Sequence, residues 1–205
     1  MKKLFGLILS NIFAVADEWI SHLLFRSSRE QAIHMLRLQP MERLLIVGVG
    51  AGKDIPLLPP GLWITGIDSS AQKLQKARVQ TKGHYVSLEK MDPLSLIYGD
   101  RSFNAVIFNP ILGNETDHAK ALREAWRVVR SGGRLVSWEY SLKGKDWPSR
   151  LYRLCRAFRI GGLVLPSQGL IDVIKGLHDT ILQENKPAVC NGNCRIILIQ
   201  KENLK

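Results

Sequence analysis

Residues 44–52 have the sequence Leu44-Leu45-Ile46-Val47-Gly48-Val49-Gly50-Ala51-Gly52. The first four residues form a continuous apolar run, which is typical of a strand buried on both faces of a parallel sheet. The glycines that follow allow a tight turn, predicted to open a helix, and a close approach of backbone to a ligand. An acid, Asp68, ends the next predicted strand, twenty residues after Gly48. This combination predicts a nucleotide-binding crevice in which the carboxylate accepts hydrogen bonds from ribose hydroxyls.

Two other glycine-rich loops are excluded by their spacing. A phosphate-binding P-loop needs a glycine five positions before Gly52, where this chain has Val47. It also needs Ser or Thr directly after its lysine, where the chain has Asp54. A dinucleotide-binding loop needs its third glycine at the position that Lys53 occupies. The closer Gly-x-Gly-x-Gly spacing therefore argues against a nucleoside triphosphatase and a dinucleotide enzyme.

Strands and helices alternate along the rest of the chain. Predicted strands cover residues 44–47, 63–67, 84–88, 105–108, 134–139, 180–184 and 195–200, and predicted helices cover 28–38, 70–80, 117–130 and 171–177. The third of these helices is expected to end at Gly132-Gly133, because glycine adopts the positive φ of a helix C-terminus. Such alternation is typical of an α/β fold with a parallel sheet covered by helices on both faces. The last two strands are predicted to form an antiparallel pair.

Composition limits the class of protein and its partners. A chain of 205 residues fits one domain of ordinary size, and 45% hydrophobic with 23% charged residues excludes disordered, collagenous and polytopic membrane chains. The formal net charge of +11 favours an anionic partner, whether nucleic acid, an anionic membrane surface or an acidic substrate. The three cysteines lack the spacing of a zinc site, so no metal is predicted and they are expected to be reduced thiols of a cytoplasmic protein.

The N-terminal residues 1–27 are predicted to be an amphipathic helical extension that precedes a domain at 28–205. Their apolar run, residues 4–16, follows two lysines and ends in small residues, which is also the outline of a secretory signal. The run is too short to span a bilayer. The predicted helix has apolar residues on one face, so lying in a membrane interface and capping the domain core are both open alternatives.

Several stretches resemble the motifs of class I S-adenosylmethionine-dependent methyltransferases. The stretch 44–52 resembles the first motif of this family, and Gly66-Ile67-Asp68-Ser69-Ser70 resembles the second. Lys90-Met91-Asp92-Pro93 resembles the segment that contacts adenine. Residues 101–104 resemble the turn that enters strand four. Residues 124–135 resemble the following helix, its Gly-Gly turn and strand five. The resemblance implies a Rossmann-like sheet of seven strands, mostly parallel with the last antiparallel, and S-adenosylmethionine as cofactor.

The same resemblance implies which residues hold the cofactor. It assigns the methionine and ribose parts to the glycine loop, the ribose to Asp68, and the adenine to the segment after strand three. The implied cofactor-binding residues are Gly48, Gly50, Gly52, Asp68, Ser69, Met91 and Asp92. The chain departs from the family twice, with Ile46 in place of the usual acid and Asn104 in place of the usual Asp. The first departure predicts a weaker hold on the methionine amino group.

No catalytic residue is predicted, because methyl transfer from a sulfonium needs alignment and exclusion of water more than a base. Side chains that could serve as a base are His84, His118, Tyr98, Glu139 and Tyr140. Asn109-Pro110 follows strand four. Amine-methylating relatives carry an Asn-Pro-Pro-aromatic motif at this position, which binds the target nitrogen. Only the first two residues of that motif match here, and a plain turn is the alternative. Asn109 and Tyr140 are predicted to face the acceptor.

The acceptor is predicted to be lipophilic or membrane-associated. Residues 48–68 resemble bacterial phosphatidylethanolamine N-methyltransferases, and Trp138-Glu139-Tyr140-Ser141 resembles the end of strand five in quinone-ring C-methyltransferases. A basic amphipathic segment at 149–160 suits an anionic membrane surface, on which the protein would be peripheral. A phospholipid amine is thus the first expectation and a quinone precursor the alternative. A soluble metabolite, nucleic acid and a non-catalytic interaction module stay open, although no nucleic-acid recognition motif is found.

Overall fold

The computed structural model describes residues 26–109, 115–140, 170–187 and 194–203. The strands are β1 (Arg43–Val47), β2 (Trp63–Asp68), β3 (Tyr85–Lys90), β4 (Phe103–Phe108), β5 (Val129–Tyr140), β6 (Thr180–Pro187) and β7 (Cys194–Lys201). The helices are α1 over residues 26–35, α2 (Ala71–Ala77), α3 (Glu115–Arg127) and α4 (Leu170–Lys175), with 3-10 turns at Ile55–Leu57 and Arg78–Thr81. The predicted N-terminal helix, apart from residues 26 and 27 in α1, and the basic segment 149–160 lie outside the described residues.

The strands form one sheet in the order β3-β2-β1-β4-β5-β7-β6. Strands β1 to β5 pair in parallel, and β7 is antiparallel to both β5 and β6. The predicted seven-stranded sheet with an antiparallel last strand is confirmed. Because β2 and β4 flank β1 on opposite sides, the strand order reverses there, and in open α/β sheets the ligand crevice lies beyond the carboxyl ends of strands at such a point.

The sheet separates two hydrophobic cores. Successive residues of β1 alternate between them, as the two-residue period of a strand requires: Leu44 and Ile46 enter the first core, Leu45 and Val47 the second. The first core lies against α1 and α2, and the second against α3 and α4. Helices therefore cover both faces, which explains why residues 44–47, directly before the glycine loop, are apolar without interruption.

The loop after β1 differs from its prediction, because no α-helix follows the glycines. The segment forms only a 3-10 turn at Ile55–Leu57, with Pro56 inside it. Pro56 is tolerated in this first turn, but Pro59 and Pro60 lack the backbone N–H groups that a longer helix needs. The loop instead contributes apolar side chains, Ile55 and Leu58 among them, to the first core.

The glycine pair at 132–133 also differs from its prediction as a helix C-terminus. Strand β5 already begins at Val129, which pairs with Phe103, and the next pairing is made by Arg134. The residues between form an irregularity inside the strand, and a Cβ on Gly133 would lie 2.9 Å from the Asn104 carbonyl oxygen. The glycines thus allow the strand to bulge against β4.

Candidate functional site

The carboxyl ends of β1, β2 and β4 meet at the point where the strand order reverses. The Gly48 amide donates to the Ile67 carbonyl at 2.9 Å, and the Asn109 amide donates to the Val47 carbonyl at 3.0 Å. These bonds extend the strand pairing by one residue beyond the regular sheet. The sequence-predicted residues of the glycine loop, the acid after β2 and the asparagine after β4 are therefore brought together.

Each of the three glycines has a positive φ: 73° at Gly48, 56° at Gly50 and 77° at Gly52. This left-handed region strongly favours glycine. Apart from its chain neighbours, no atom of the described residues would lie closer than 4.0 Å to a Cβ on Gly50, so that face of the loop is open to a ligand. A Cβ on Gly52 would lie only 3.0 Å from the Ala77 Cα, so this glycine allows the loop to pack closely on α2.

Asp68 links the second strand to the glycine loop. Its Oδ2 accepts the Gly50 amide at 3.0 Å, and its Oδ1 accepts the Ser70 amide at 2.8 Å. The side chain is largely buried, with the residue 8% exposed. Each carboxylate oxygen can accept a second hydrogen bond, so the acid can still receive the two hydroxyls of a ribose. The open glycine loop and this carboxylate together fit an adenosyl ligand.

The predicted adenine-side residues lie at the end of β3. The Met91 amide donates to the Asp68 carbonyl at 3.2 Å, and the Met91 side chain packs in the second core. Asp92 is exposed, and its Oδ1 accepts the Leu94 amide at 2.9 Å. Ser69 is exposed directly after the ribose-side acid. The contacts of Ser69, Met91 and Asp92 with the cofactor stay predictions.

Asn109 holds the glycine loop through its side-chain amide. Its Nδ2 donates to the Gly48 carbonyl at 3.0 Å and to the Asp54 Oδ2 at 2.8 Å. The donor of this amide is therefore engaged inside the protein, and a role facing the acceptor stays a prediction. Tyr140, the other residue predicted to face the acceptor, ends β5, and its side chain lies outside the described part of the structure.

Asp54 is the site residue that sequence reasoning missed. The sequence marked it only as the residue that breaks a P-loop pattern, yet it is buried beside the loop, with Arg29 Nε 3.3 Å from its Oδ1. Burial raises the pKa of Asp54 above its usual range, while the Arg29 charge, the Asn109 hydrogen bond and the Lys53 charge each lower it. The sequence feature that could have indicated Asp54 was an acid two residues after the last glycine of the loop.

The structure separates the residues considered as a base. The His118 ring packs edge to face on Phe108, 5.1 Å between centroids, at the end of β4 that carries the site. His84 precedes β3 and so lies at the opposite end of the strands. The Tyr98 ring packs on Phe103 at the start of β4, and its hydroxyl donates to the Glu89 Oε2 at 2.8 Å. Burial and the neighbouring Glu89 also raise the pKa of Tyr98 well above its usual range. Of the described candidates, His118 is the one near the site.

The two departures from the family motifs have structural roles. Ile46 is fully buried in the first core, so its side chain packs between sheet and helices. Asn104 accepts the Arg43 amide through its Oδ1 at 2.9 Å, which joins the starts of β4 and β1. Neither residue replaces the missing acid at the cofactor site.

In the described ranges no three His, Cys, Asp or Glu side chains are grouped to hold a metal ion, and no helix is long and apolar enough to cross a membrane.

Comparison with known proteins identifies a methyltransferase domain. Residues 45–137 match the family model of a methyltransferase domain. A demethylmenaquinone methyltransferase of Deinococcus radiodurans is 33% identical over 62% of this chain and 56% of its own. A ubiquinone/menaquinone biosynthesis C-methyltransferase of Geotalea daltonii is 29% identical over 57% of this chain and 53% of its own. The chain thus spans about half the length of these curated relatives.

Solved structures show the same fold. The N-methyltransferase NodS of Bradyrhizobium japonicum, solved with S-adenosylhomocysteine, superposes with a TM-score of 0.67 over 87% of either chain at 16% identity. That likeness concerns the fold alone, whereas the matched family model covers the glycine loop, Asp68 and the strands between them. Residues 45–137 are thus a methyltransferase domain, in a chain that has the fold of methyltransferases solved with S-adenosylhomocysteine.

Proposed function

We propose that this chain transfers the methyl group of S-adenosylmethionine to a ring carbon of a lipophilic quinone precursor in its reduced, hydroquinone form. The observation that carries the proposal is the hydrogen bond from Gly50 to Asp68, which joins the open glycine loop to the ribose-binding acid. The acceptor is supported by the similarity to two proteins named for menaquinone methylation. The resemblance of residues 138–141 to quinone-ring methyltransferases agrees with it.

The cofactor and the residues of the chain contribute different parts of the reaction. When bound, S-adenosylmethionine supplies an electrophilic methyl group on a sulfonium, a good leaving group. The glycine loop and Asp68 hold the adenosyl part, and so fix the direction from which the acceptor must approach. A ring carbon becomes nucleophilic when a neighbouring hydroxyl loses its proton. His118, whose ring packs on Phe108 at the end of β4, is the proposed acceptor of that proton. The methylated carbon then releases its own hydrogen as a proton, which restores the aromatic ring.

A phospholipid amine is the competing acceptor, suggested by the resemblance of residues 48–68 to phosphatidylethanolamine N-methyltransferases. The two relatives described above favour the quinone, since both are named for quinone methylation. Either acceptor resides in a bilayer, so we also propose that the protein contacts an anionic membrane surface peripherally. The net charge of +11 supports this contact, because each Lys or Arg close to such a surface contributes about 1 kcal/mol.

A single assay can distinguish the two acceptors. The purified chain is incubated with methyl-labelled S-adenosylmethionine and vesicles of phosphatidylethanolamine and phosphatidylglycerol that contain demethylmenaquinol, kept reduced. We expect mass spectrometry to find one added methyl group on the quinol ring and none on the phospholipid. Asp68→Ala should abolish the product, whereas Asp172→Asn, an exposed acid on α4, should not.

The outcomes separate the parts of the proposal. Label on phosphatidylethanolamine alone would overturn the quinone acceptor and keep the methyltransferase. Vesicles without phosphatidylglycerol serve as the test of membrane contact, since sedimentation of the chain with vesicles should be lost together with the anionic lipid. A chain that binds S-adenosylhomocysteine but labels neither lipid contradicts the proposed acceptor class.

A further inference from the structure

Three buried polar side chains form a connected group next to the first glycine. Arg29 lies on α1, Asp54 in the loop after β1, and Asn109 at the end of β4. The Arg29 Nε is 3.3 Å from Asp54 Oδ1, and Asn109 Nδ2 bridges Asp54 Oδ2 and the Gly48 carbonyl at 2.8 and 3.0 Å. The group therefore joins α1 to the loop that receives the cofactor.

This group has hydrogen-bonding capacity that the described residues leave unmet. Among the described residues, Arg29 Nε, Asp54 Oδ1 and Asn109 Oδ1 are buried atoms without a hydrogen-bond partner. The first two face each other at 3.3 Å as an ion pair that lacks the geometry of a hydrogen bond. Buried polar atoms are nearly always paired in native proteins, and exceptions commonly mark a functional role. Here one donor and two acceptors lie together.

We propose that this group binds the zwitterionic amino acid end of S-adenosylmethionine, with Arg29 on its carboxylate and Asp54 and Asn109 on its ammonium. An α-amino acid presents one anion and one cation a few bonds apart, which matches a buried guanidinium donor beside a carboxylate oxygen and an amide oxygen. The inference rests on the proposed function through its cofactor only, and does not depend on the methyl acceptor. It assigns Arg29 and Asp54 to cofactor binding.

The position of the group supports this assignment. Arg29 lines a cavity of about 630 Å³ whose wall also includes Ala51 and Lys53 of the glycine-loop segment. A small anion in this cavity can therefore approach the guanidinium, between the glycine-loop segment and the 3-10 turn at Ile55–Leu57. The connection through Asn109 to the Gly48 carbonyl places the acceptors beside the glycine loop, which the family resemblance assigns to the methionine and ribose parts of the cofactor.

The group also accounts for the missing acid of the first motif. Ile46 occupies that position and is fully buried among apolar side chains of the first core. Asp54, in the loop after β1, instead supplies a carboxylate to the same crevice. Asn109 Nδ2 donates both to this carboxylate and to the Gly48 carbonyl of the loop. The weaker hold on the methionine amino group predicted from Ile46 is thus compensated by Asp54.

A ligand series tests the assignment without depending on activity. Calorimetric titrations compare S-adenosylhomocysteine, its decarboxylated analogue, and 5′-methylthioadenosine, which lacks both the carboxylate and the ammonium. For the wild-type chain, each group removed should weaken binding about tenfold or more, as expected for hydrogen bonds to charged groups. In Arg29→Gln, removing the carboxylate from the ligand should no longer weaken its binding. In Asp54→Asn, removing the ammonium from the ligand should no longer weaken its binding.

Binding of 5′-methylthioadenosine is the internal control, since neither substitution should change it by more than about twofold if the site is otherwise intact. Two exposed positions provide matched controls: Arg123→Gln and Asp172→Asn should bind all three ligands as the wild type does. A wild-type chain that binds S-adenosylhomocysteine no better than 5′-methylthioadenosine overturns the inference without any variant. Equal losses for all ligands in Asp54→Asn would overturn it too, because a residue that only holds the loop in shape affects every adenosyl ligand.

Failure of the proposed function gives a different result. If the wild-type chain binds none of the three ligands, the cofactor site itself is refuted, and the inference falls with it. If it binds them in the expected order, the inference stands even when no quinol or phospholipid is methylated. The two failures are therefore distinguishable.

Discussion

The Asp68 carboxylate accepts the Gly50 backbone amide at 3.0 Å and thereby holds the open face of the glycine loop beside the end of β2. The second carboxylate oxygen accepts the Ser70 amide, so the acid also fixes the turn into α2. One side chain thus orients both backbone segments that border the crevice. A substitution at Asp68 should therefore affect ligand binding and local structure together.

Asp68→Asn tests this double role. The amide has one acceptor oxygen in place of two, so one of the two backbone N–H groups loses its partner. We expect the free energy of unfolding to fall by about 1–3 kcal/mol and the affinity for S-adenosylhomocysteine to fall at least tenfold, about 1.4 kcal/mol. Urea unfolding and calorimetric titration measure the two effects. Unchanged ligand affinity would place the cofactor elsewhere.

The cofactor crevice could be predicted because its parts are close in sequence and have steep conformational preferences. The apolar run before Gly48, the positive φ of Gly50 and the acid ending β2 each follow from local residue chemistry. The strand order then follows from the preference of β-α-β units for short right-handed connections. The ends of β1 and β2 consequently had to meet.

The Arg29-Asp54-Asn109 group could not be predicted, because its members are 25 and 55 residues apart and meet only through tertiary packing. Two local predictions also failed for physical reasons. The proline-rich segment after Gly52 cannot supply the N–H groups of a helix, and the glycine pair at 132–133 is used by a strand irregularity. In both cases the prediction considered one residue type without the residues around it.

Gly52→Ala should destabilise the protein more than the same change at Gly83. Both residues have a positive φ, 77° and 83°, so both variants incur about 1–2 kcal/mol of backbone strain. A Cβ at Gly52 would also lie 3.0 Å from the Ala77 Cα and Cβ, whereas a Cβ at Gly83 meets nothing within 4 Å. Overpacking should add about 1–3 kcal/mol at Gly52 only. Urea unfolding of both variants checks this, and equal losses would refute the packing role of Gly52.

The ion pair of Glu124 and Arg127 should make stability depend on pH. Glu124 accepts two hydrogen bonds from Arg127 and one from the Leu96 amide, and the Arg127 hydrogen bonds are the largest cause that lowers the pKa of Glu124 below its usual range. A carboxyl with a lowered folded-state pKa contributes stability above its unfolded-state pKa and loses it as the pH falls through the folded-state value. Stability should thus decline below the ordinary pKa of a glutamic acid.

Glu124→Gln measures this contribution. Because the side chain of Glu124 is 24% exposed, solvent reduces its value, and we expect a loss of about 1 kcal/mol in unfolding free energy at neutral pH. The difference between variant and wild type should shrink towards zero in urea titrations at about pH 2, where both side chains are uncharged. Glu30→Gln is the matched control, since Glu30 forms an exposed ion pair with Arg26 and should show little difference at either pH. A constant deficit of Glu124→Gln across pH would contradict the electrostatic explanation.

Restoring the usual acid of the first motif should harm the protein. Ile46→Asp would bury a carboxylate in the first core, among apolar neighbours such as Leu44, Ile64 and Ala105. We expect a loss of more than about 3 kcal/mol in unfolding free energy, and a stability that recovers towards acidic pH as the carboxyl becomes neutral. Ile46→Val, which removes one methyl group, should lose only about 0.5–1.5 kcal/mol and serves as the control. If Ile46→Asp instead folded normally and bound S-adenosylhomocysteine more tightly, position 46 would face the ligand, and Asp54 would no longer be needed as its replacement.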